Sequence, residues 1–244
     1  MRGWLTPFLM LIATAWVVPA AAAQDFNKIA SDILHQRLPG DTKTLSKGDV
    51  VSGLKEALRL GTEAAAKRVG AKDGFFGDPA IRIPLPGVLG EAQKKLQPFG
   101  MAGPLDDLQL KVNRAAEAAA PTAKKLMVDA VKSMTIEDGL SVLRGGETAA
   151  TAFLRKKTEA GLRTAFRPYF EQSLASSGAL ASLDSAVAKY GAGMIKTDSK
   201  TWLTDHAVTG ALNGLFYYVA REEQAIRRDP VKRTSDLLRR VFGG

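Results

Sequence analysis

The longest apolar run in the sequence is Ala207-Val-Thr-Gly-Ala-Leu-Asn-Gly-Leu-Phe-Tyr-Tyr-Val-Ala220. At 14 residues, with Asn213 inside it, the run is short for a membrane span and suits a buried core helix. The helical pattern continues through Ile226 and ends before Asp229-Pro230, because proline cannot continue a helix. This stretch therefore predicts a helix at the centre of the core.

Helical patterning covers most of the rest of the sequence. Ser46 with Asp49, and Thr135 with Asp138, have capping-box spacing, with Asp in place of the usual Glu or Gln, and they predict two helix starts. After the first start, apolar and small residues share one helical stripe: Val50, Leu54, Ala57, Leu58, Gly61 and Ala65. The sequence predicts an all-α protein that folds as a single compact multi-helix domain.

Two prolines predict breaks inside long helical stretches. Pro121 lies within Leu105–Met134 and is expected to kink or split that stretch, since it lacks an N–H and clashes with the preceding turn. Pro168 is expected to open a new helix, where its missing N–H has no cost. Further helices are predicted after Asp25, over Leu180–Tyr190 and after Thr234.

Residues 71–90 interrupt the helical pattern with a stretch rich in glycine and proline. Ile81, Ile83 and Leu85 alternate with less apolar residues, which favours an extended backbone. Pro84 and Pro86 exclude a central strand and an ordinary helix. We therefore expect either an ordered loop or a short edge hairpin here.

The N-terminus has the pattern of a cleaved export signal. Arg2 precedes an apolar segment, Leu5–Val18, and the small residues Ala20–Ala23 follow. We expect a signal peptide over residues 1–23, and a mature chain of residues 24–244 that forms one helical domain in the periplasm. Gln24 stands where a lipoprotein would carry cysteine, so no lipid anchor is expected, and no transmembrane segment is predicted in the mature chain.

Composition favours one kind of partner and excludes several kinds of site. The 34 Lys and Arg residues exceed the 25 Asp and Glu residues, for a net charge of +9, which favours an anionic partner. The sequence has no cysteine, which excludes disulfides, thiol nucleophiles and cysteine-bound metals. With His35 and His206 as the only histidines and no catalytic motif, we expect no catalytic residues, no metal site and no cofactor.

Six segments, in order along the chain, carry a resemblance to a known family: Gly53–Leu58, Asp73–Pro86, Leu110–Glu117, Arg155–Thr158, Ala211–Phe216 and Ala220–Pro230. Together they resemble the exported bacterial family catalogued as domain of unknown function 4197. The resemblance implies a periplasmic, mainly helical protein. It implies no activity and transfers no catalytic residue.

A basic cluster at Arg155 and Lys156 is the first candidate for ligand binding. Arg155, Glu159, Arg163 and Arg167 follow one another at i,i+4 spacing and form one charged stripe on a helix. The stripe is either an ordinary solvated face or an anion site for lipid headgroups, glycans or an acidic protein. Nucleic acid is not expected, because aromatic residues do not interleave with the basic runs and no binding motif is present.

The Gly/Pro-rich loop supplies the other candidate ligand contacts: Lys72, Asp73, Phe75, Phe76 and Arg82. Each has an alternative interpretation as part of the fold. The aspartates, with Asp78, suit turns as well as acid–base chemistry, and the two phenylalanines either plug the core or gate a pocket. Arg82 could add a guanidinium fork if the loop folds over the basic helix.

Other residues are assigned to the fold itself. Phe216-Tyr217-Tyr218 is expected to be core, Glu223 and Arg227 are expected to form a pair on a helix surface, and Arg114 and Glu117 can pair at i,i+3.

Three functions fit these observations. The favoured one is a non-catalytic protein that binds an anionic amphiphile or acidic partner through the helical body and the Lys72–Pro86 loop. The alternatives are a metal-independent enzyme that uses Asp73 or Asp78, and a structural or assembly protein of the cell envelope.

Overall fold

The computed structural model describes residues 46–176 and 198–228. Within these ranges the secondary structure is six α-helices: α1 Lys47–Val69, α2 Gly87–Leu96, α3 Gly103–Lys132, α4 Ile136–Arg144, α5 Ala149–Ala175 and α6 Ser199–Arg228. A short 3-10 turn, Gln97–Phe99, joins α2 to α3. The all-α prediction is confirmed. The following features lie outside the described ranges: the predicted signal peptide, His35, and the helices predicted after Asp25, over Leu180–Tyr190 and after Thr234.

The core forms where α1, α3, α5 and α6 pack against one another in one compact domain. The run 207–220 lies within α6 and supplies Ala207, Ala211 and Leu212, which are fully buried, so the predicted core helix is confirmed. Phe166 and Phe170 of α5 pack into the same cluster. No helix in the described part of the chain is long and apolar enough to span a bilayer.

Residues 71–86 form an ordered loop between α1 and α2. No strand occurs among the described residues, so the hairpin alternative is wrong and the loop alternative is confirmed. Ile81, Ile83 and Leu85 are all buried, and Arg82 and Pro84 between them are exposed. The alternation seen in the sequence therefore marks a loop with one face on the helical core.

The split predicted at Pro121 and the helix start predicted at Pro168 are wrong. Both prolines lie inside continuous helices, α3 and α5, and both are exposed. An internal proline costs about 3 kcal/mol. Burying Phe166 and Phe170, on either side of Pro168, contributes about 1.5–3 kcal/mol each. Packing along these helices therefore outweighs the local preference to break.

Both capping boxes are confirmed at the starts of α1 and α4. The start of α5 is capped differently, because Thr148 makes no side-chain cap. The Glu223 carboxylate of α6 accepts hydrogen bonds from Ala150 N at 3.0 Å and from Thr151 N at 2.8 Å. Glu223 also pairs with Arg227 at 2.8 Å, as expected, but both side chains are buried, so the predicted surface position is wrong.

Candidate functional site

The loop 71–86 is fixed to α3 by buried polar side chains. Asn113 is completely buried, and its amide pairs with both backbone groups of Ile83: Oδ1 accepts from Ile83 N at 2.8 Å, and Nδ2 donates to Ile83 O at 2.9 Å. Nδ2 also donates to Gln109 O at 2.8 Å. One side chain thus provides hydrogen-bond partners for both backbone groups of Ile83, as a neighbouring strand would in a sheet.

A second clamp holds the beginning of the loop. Glu117 Oε1 accepts hydrogen bonds from Phe75 N at 3.1 Å and Phe76 N at 3.2 Å. Its other oxygen pairs with Arg114 at 2.7 Å, which confirms the expected i,i+3 pair, and this hydrogen bond is the main reason why the pKa of Arg114 is raised. Arg114 also binds Asp73 at 2.7 Å. Asp73 has a φ of 64°, a left-handed conformation that Asp tolerates better than most residues.

Two glycines of α6 let the loop approach the core closely. A Cβ at Gly214 would lie 2.5 Å from Phe75 Cε1, and one at Gly210 would lie 2.9 Å from Ile83 Cγ2. Phe75 is buried against this part of α6, so it plugs the core, whereas Phe76 is half-buried. The inner side of the loop is therefore part of the core.

The outer side of the loop meets α1 and α6 in a surface that we call the aromatic–guanidinium face. It consists of Arg68, Phe76, Asp78, Arg82, Tyr217, Tyr218 and Arg221. Each arginine lies over a ring, with these distances from Cζ to the ring centroid: Arg68 to Tyr218 4.2 Å, Arg82 to Phe76 5.1 Å, Arg221 to Tyr217 5.8 Å. The two tyrosine rings meet edge to face with centroids 5.1 Å apart. These contacts connect Arg68, Tyr218, Tyr217 and Arg221 in one chain, and Arg82 on Phe76 forms a second pair on the loop.

Asp78 is the one carboxylate among these seven residues, and it is well supplied with donors. It accepts hydrogen bonds from the Tyr218 hydroxyl and from Ala80 N at 3.0 Å, and Arg68 lies 3.8 Å away. The Tyr218 hydrogen bond is the main cause that lowers the pKa of Asp78. Burial, followed by the bond to Asp78, raises the pKa of Tyr218. At neutral pH this pair is a charged anchor for the loop.

Arginine side chains of the face are exposed to solvent. Arg82 uses its Nε to donate to Phe76 O and is exposed, and Arg221 is exposed beside the Tyr217 ring. The Tyr217 side chain is 40% exposed. Guanidinium N–H groups next to an accessible ring can pair with an anionic oxygen while an apolar or flat group lies on the ring.

The structure brings together some of the residues that the sequence proposed for binding. Phe76 and Arg82 lie on the aromatic–guanidinium face, and Lys72 is exposed on the same loop. Asp73 is tied to Arg114, and Phe75 lies buried beneath the face.

Arg155 and Lys156 are not brought to this face. Arg155 donates to Asn213 Oδ1 at 2.6 Å and lies 4.8 Å from the centroid of Phe216. Asn213 lies one turn of α6 before Tyr217, so Arg155 reaches the segment of α6 next to the face but bonds to no residue of the face. Lys156 is exposed on α5. A binding role for these two residues stays a prediction.

The stripe to which Arg155 belongs is engaged with α6. Arg163 Nη1 donates to Thr209 Oγ1 at 3.2 Å, and Arg167 pairs with Asp205. The Glu159 carboxylate lies between Arg155 and Arg163, at 3.6 Å and 2.8 Å. This row of side chains, which we call the α5 arginine row, therefore joins two helices.

Sequence reasoning missed four residues of the face. Phe216 and Tyr218 are buried as expected, but Tyr217 is exposed, so its assignment to the core is wrong. The i,i+4 spacing of Tyr217 and Arg221 was a signal that could have revealed this pair. Arg68 carried no comparable signal, because its contact with Tyr218 joins distant parts of the chain. Among the described residues, no group of three or more His, Asp or Glu side chains could hold a metal ion.

Comparison with known proteins gives one match. A family model described as "Protein of unknown function (DUF4197)" matches residues 44–243. No curated protein and no solved structure gives a significant match. The match includes all six described helices and every residue of the aromatic–guanidinium face.

Proposed function

The chain belongs to the DUF4197 family, and we propose that it is a non-catalytic periplasmic protein whose aromatic–guanidinium face binds an anionic amphiphile. The observation that carries this proposal is the exposed Tyr217 ring beside exposed Arg221, on a surface that also presents Arg82. The predicted signal peptide over residues 1–23 supports the location, and the net charge of +9 supports an anionic ligand.

The chemistry of the face suits both ends of an amphiphile. Planar guanidinium groups pair with two oxygens of a phosphate or carboxylate, and they are weakly hydrated compared with ammonium groups. The Tyr217 and Phe76 rings supply apolar surface next to those groups. Asp78 is the carboxylate that would repel such a ligand, but the Tyr218 hydroxyl and Ala80 N–H already occupy its oxygens.

The same contacts favour binding over acid–base catalysis. Asp73 is held in an ion pair with Arg114, and the lowered pKa of Asp78 makes it a poor proton donor at neutral pH. Their positions instead set the shape of the loop. Ligand binding would use the outer surface of the loop.

Native mass spectrometry of protein isolated gently from the periplasm is the first test. A retained mass of a few hundred daltons is expected. A retained second protein would indicate an acidic partner in place of an amphiphile, and a bare monomer would weigh against a tight ligand.

Titration with a short-chain phosphatidylglycerol below its micelle concentration tests the site itself. Replacing Arg82 and Arg221 together by Ala should weaken binding about tenfold or more, because each removes a charge-assisted hydrogen bond. Arg144→Ala is the matched control, since this exposed arginine lies on α4. The zwitterionic phosphatidylcholine analogue should bind more weakly to the parent protein.

Two results would overturn the assignment. Equal affinity of the double variant and the parent for phosphatidylglycerol would exclude the face. A loss seen with Lys156→Ala, but not with the double variant, would move the site to the α5 arginine row.

A further inference from the structure

A short turn between α2 and α3 exposes the most accessible apolar side chains of the described ranges. Phe99 is 76% exposed and Met101 is 65% exposed, compared with 47% for Ile136 and 40% for Tyr217. Phe99 and Met101 are two residues apart, so both apolar side chains belong to the same short turn. We call residues 97–101 the apolar turn.

The backbone of the apolar turn is fixed. Gly100 has a φ of +67°, and its N–H donates to Gln97 O at 3.1 Å, while Met101 N donates to Leu96 O at 3.2 Å. This pair of bonds is the Schellman arrangement that closes a helix end. The residue after the glycine usually packs against the last helical turn, but Met101 stays exposed. A hydrogen-bonded turn, rather than a frayed end, holds both side chains in solvent.

Two lysines without an ion-pair partner among the described residues lie next to the turn. Lys94 and Lys95 are exposed in the last turn of α2 and form no salt bridge with any described residue. At the start of α3, Asp107 pairs with Lys111 at 2.7 Å, whereas Asp106 accepts from the neutral Gln93 side chain at 2.7 Å and keeps its charge. Glu91 lies in the middle of α2, one turn before Lys95.

We propose that the apolar turn inserts Phe99 and Met101 into the interface of an anionic lipid bilayer. The turn suits that environment because its apolar side chains are exposed and lysines flank it. The lysine stems can follow the apolar surface while their charges reach the headgroups. Anionic headgroups complement Lys94 and Lys95.

The apolar turn is separate from the aromatic–guanidinium face. Along α3, from Gly103 to Glu117, the helical rise places the turn about 20 Å from the loop clamp. Lipid insertion therefore does not depend on the proposed ligand site, and either can fail while the other holds.

The absence of cysteine allows a local test. Met101→Cys and Ile136→Cys each introduce a single thiol for a polarity-sensitive dye, and Ile136 is a matched exposed apolar position on α4. Vesicles of phosphatidylcholine, with and without phosphatidylglycerol, are titrated into each labelled protein. The dye reports its own surroundings, so binding by the N-terminal segment does not imitate insertion of the turn.

We expect a blue shift of the dye at position 101 with phosphatidylglycerol vesicles and no comparable shift at position 136. Adding Phe99→Ser should weaken this partitioning about tenfold or more. Replacing Lys94 and Lys95 by Gln should weaken it about fivefold per lysine, with the loss confined to anionic vesicles.

Two outcomes would overturn the proposal. In the first, the dye at position 101 responds no more than the dye at position 136. In the second, its shift depends on protein concentration and not on vesicles, which would mean that a second copy of the chain covers the turn.

Discussion

The two arginine-rich surfaces beside α6 differ in what their guanidinium groups contact. In the α5 arginine row, Arg155, Arg163 and Arg167 reach side-chain oxygens of α6, at Asn213, Thr209 and Asp205. On the aromatic–guanidinium face, the arginines lie over aromatic rings, and only Arg68 lies near the Asp78 carboxylate. The arginines of the first surface remain partly exposed, but they are paired with oxygens of the protein itself. The second keeps hydrogen-bonding capacity toward solvent.

This difference shows why basic sequence clusters are weak indicators of a site. Arg155-Lys156-Lys157 is the denser cluster in the sequence, yet its arginine is committed to packing between helices. Arg68 and Arg221 are distant in the chain, and only the fold joins them, through Tyr218 and Tyr217. An arginine is available to a ligand only where the fold has left its N–H groups without protein acceptors.

The largest expected effect comes from removing the clamp beneath the open face. Asn113→Ala leaves Ile83 N and Ile83 O without their partner, so we expect a loss of about 2–4 kcal/mol in the free energy of unfolding. Urea denaturation measures this loss. Gln93→Ala, at a partly exposed position, is the control and should cost far less.

The same variant tests whether the two arginine surfaces are independent. Brief trypsin digestion of Asn113→Ala should cut faster after Arg82 in the loop, while cleavage after Arg155 keeps the parent's rate. Equal acceleration at both sites would mean that the loop clamp supports the whole bundle, and the contrast between the surfaces would then be lost.

Substituting alanine at two glycines should change the stability of the fold in opposite directions. Gly214→Ala places a Cβ 2.5 Å from Phe75 Cε1 and should cost about 1–3 kcal/mol, because the loop must shift away from α6. Gly161→Ala, in α5, meets no atom within 4 Å and should add about 0.5–1 kcal/mol through helix propensity. Thermal and urea unfolding of both variants check this. A neutral Gly214→Ala would show that the loop is not tightly seated.

Removing one arginine from each surface should have different, smaller effects on stability. Arg155→Ala removes the bond to Asn213 and the contact with Phe216, and should cost about 1 kcal/mol. Arg221→Ala should change stability by no more than about 0.5 kcal/mol, since this exposed side chain makes only a ring contact at 5.8 Å. Equal losses in unfolding free energy would contradict the distinction between the two surfaces.

The sequence predicted those parts of the fold that depend on local chemistry. Both capping boxes and the core helix over 207–220 follow from spacing and apolar content, and the structure confirms them. Pro121 shows the limit, because a local rule predicted a break that helix packing overrides. The aromatic–guanidinium face was only partly predictable. Phe76 and Arg82 stood out in an unusual loop, but Arg68 joins Tyr218 only through the tertiary fold.

A further small effect concerns the carboxylate within the aromatic–guanidinium face. The pKa of Asp78 is below its ordinary value of 3.8 in the folded protein, so its carboxylate stabilises the fold above that value. This contribution is lost as the pH falls through the lowered pKa. Tyr218→Phe removes the main cause of the shift and should lower the unfolding free energy by about 1 kcal/mol at neutral pH.

The pH dependence of this loss distinguishes the charge of Asp78 from simple packing. The Tyr218 hydroxyl stabilises the charged form of Asp78, and this stabilisation disappears once Asp78 is protonated. The difference in unfolding free energy between Tyr218→Phe and the parent should therefore narrow as the pH falls below 3.8. Urea unfolding at stepped pH, with an NMR titration of the Asp78 carboxyl, measures it. Tyr217→Phe, at the exposed neighbouring ring, should match the parent throughout. A gap that stays constant into strong acid would assign the loss to packing of the Tyr218 hydroxyl, and Asp78 would then not be a fixed charge on the face.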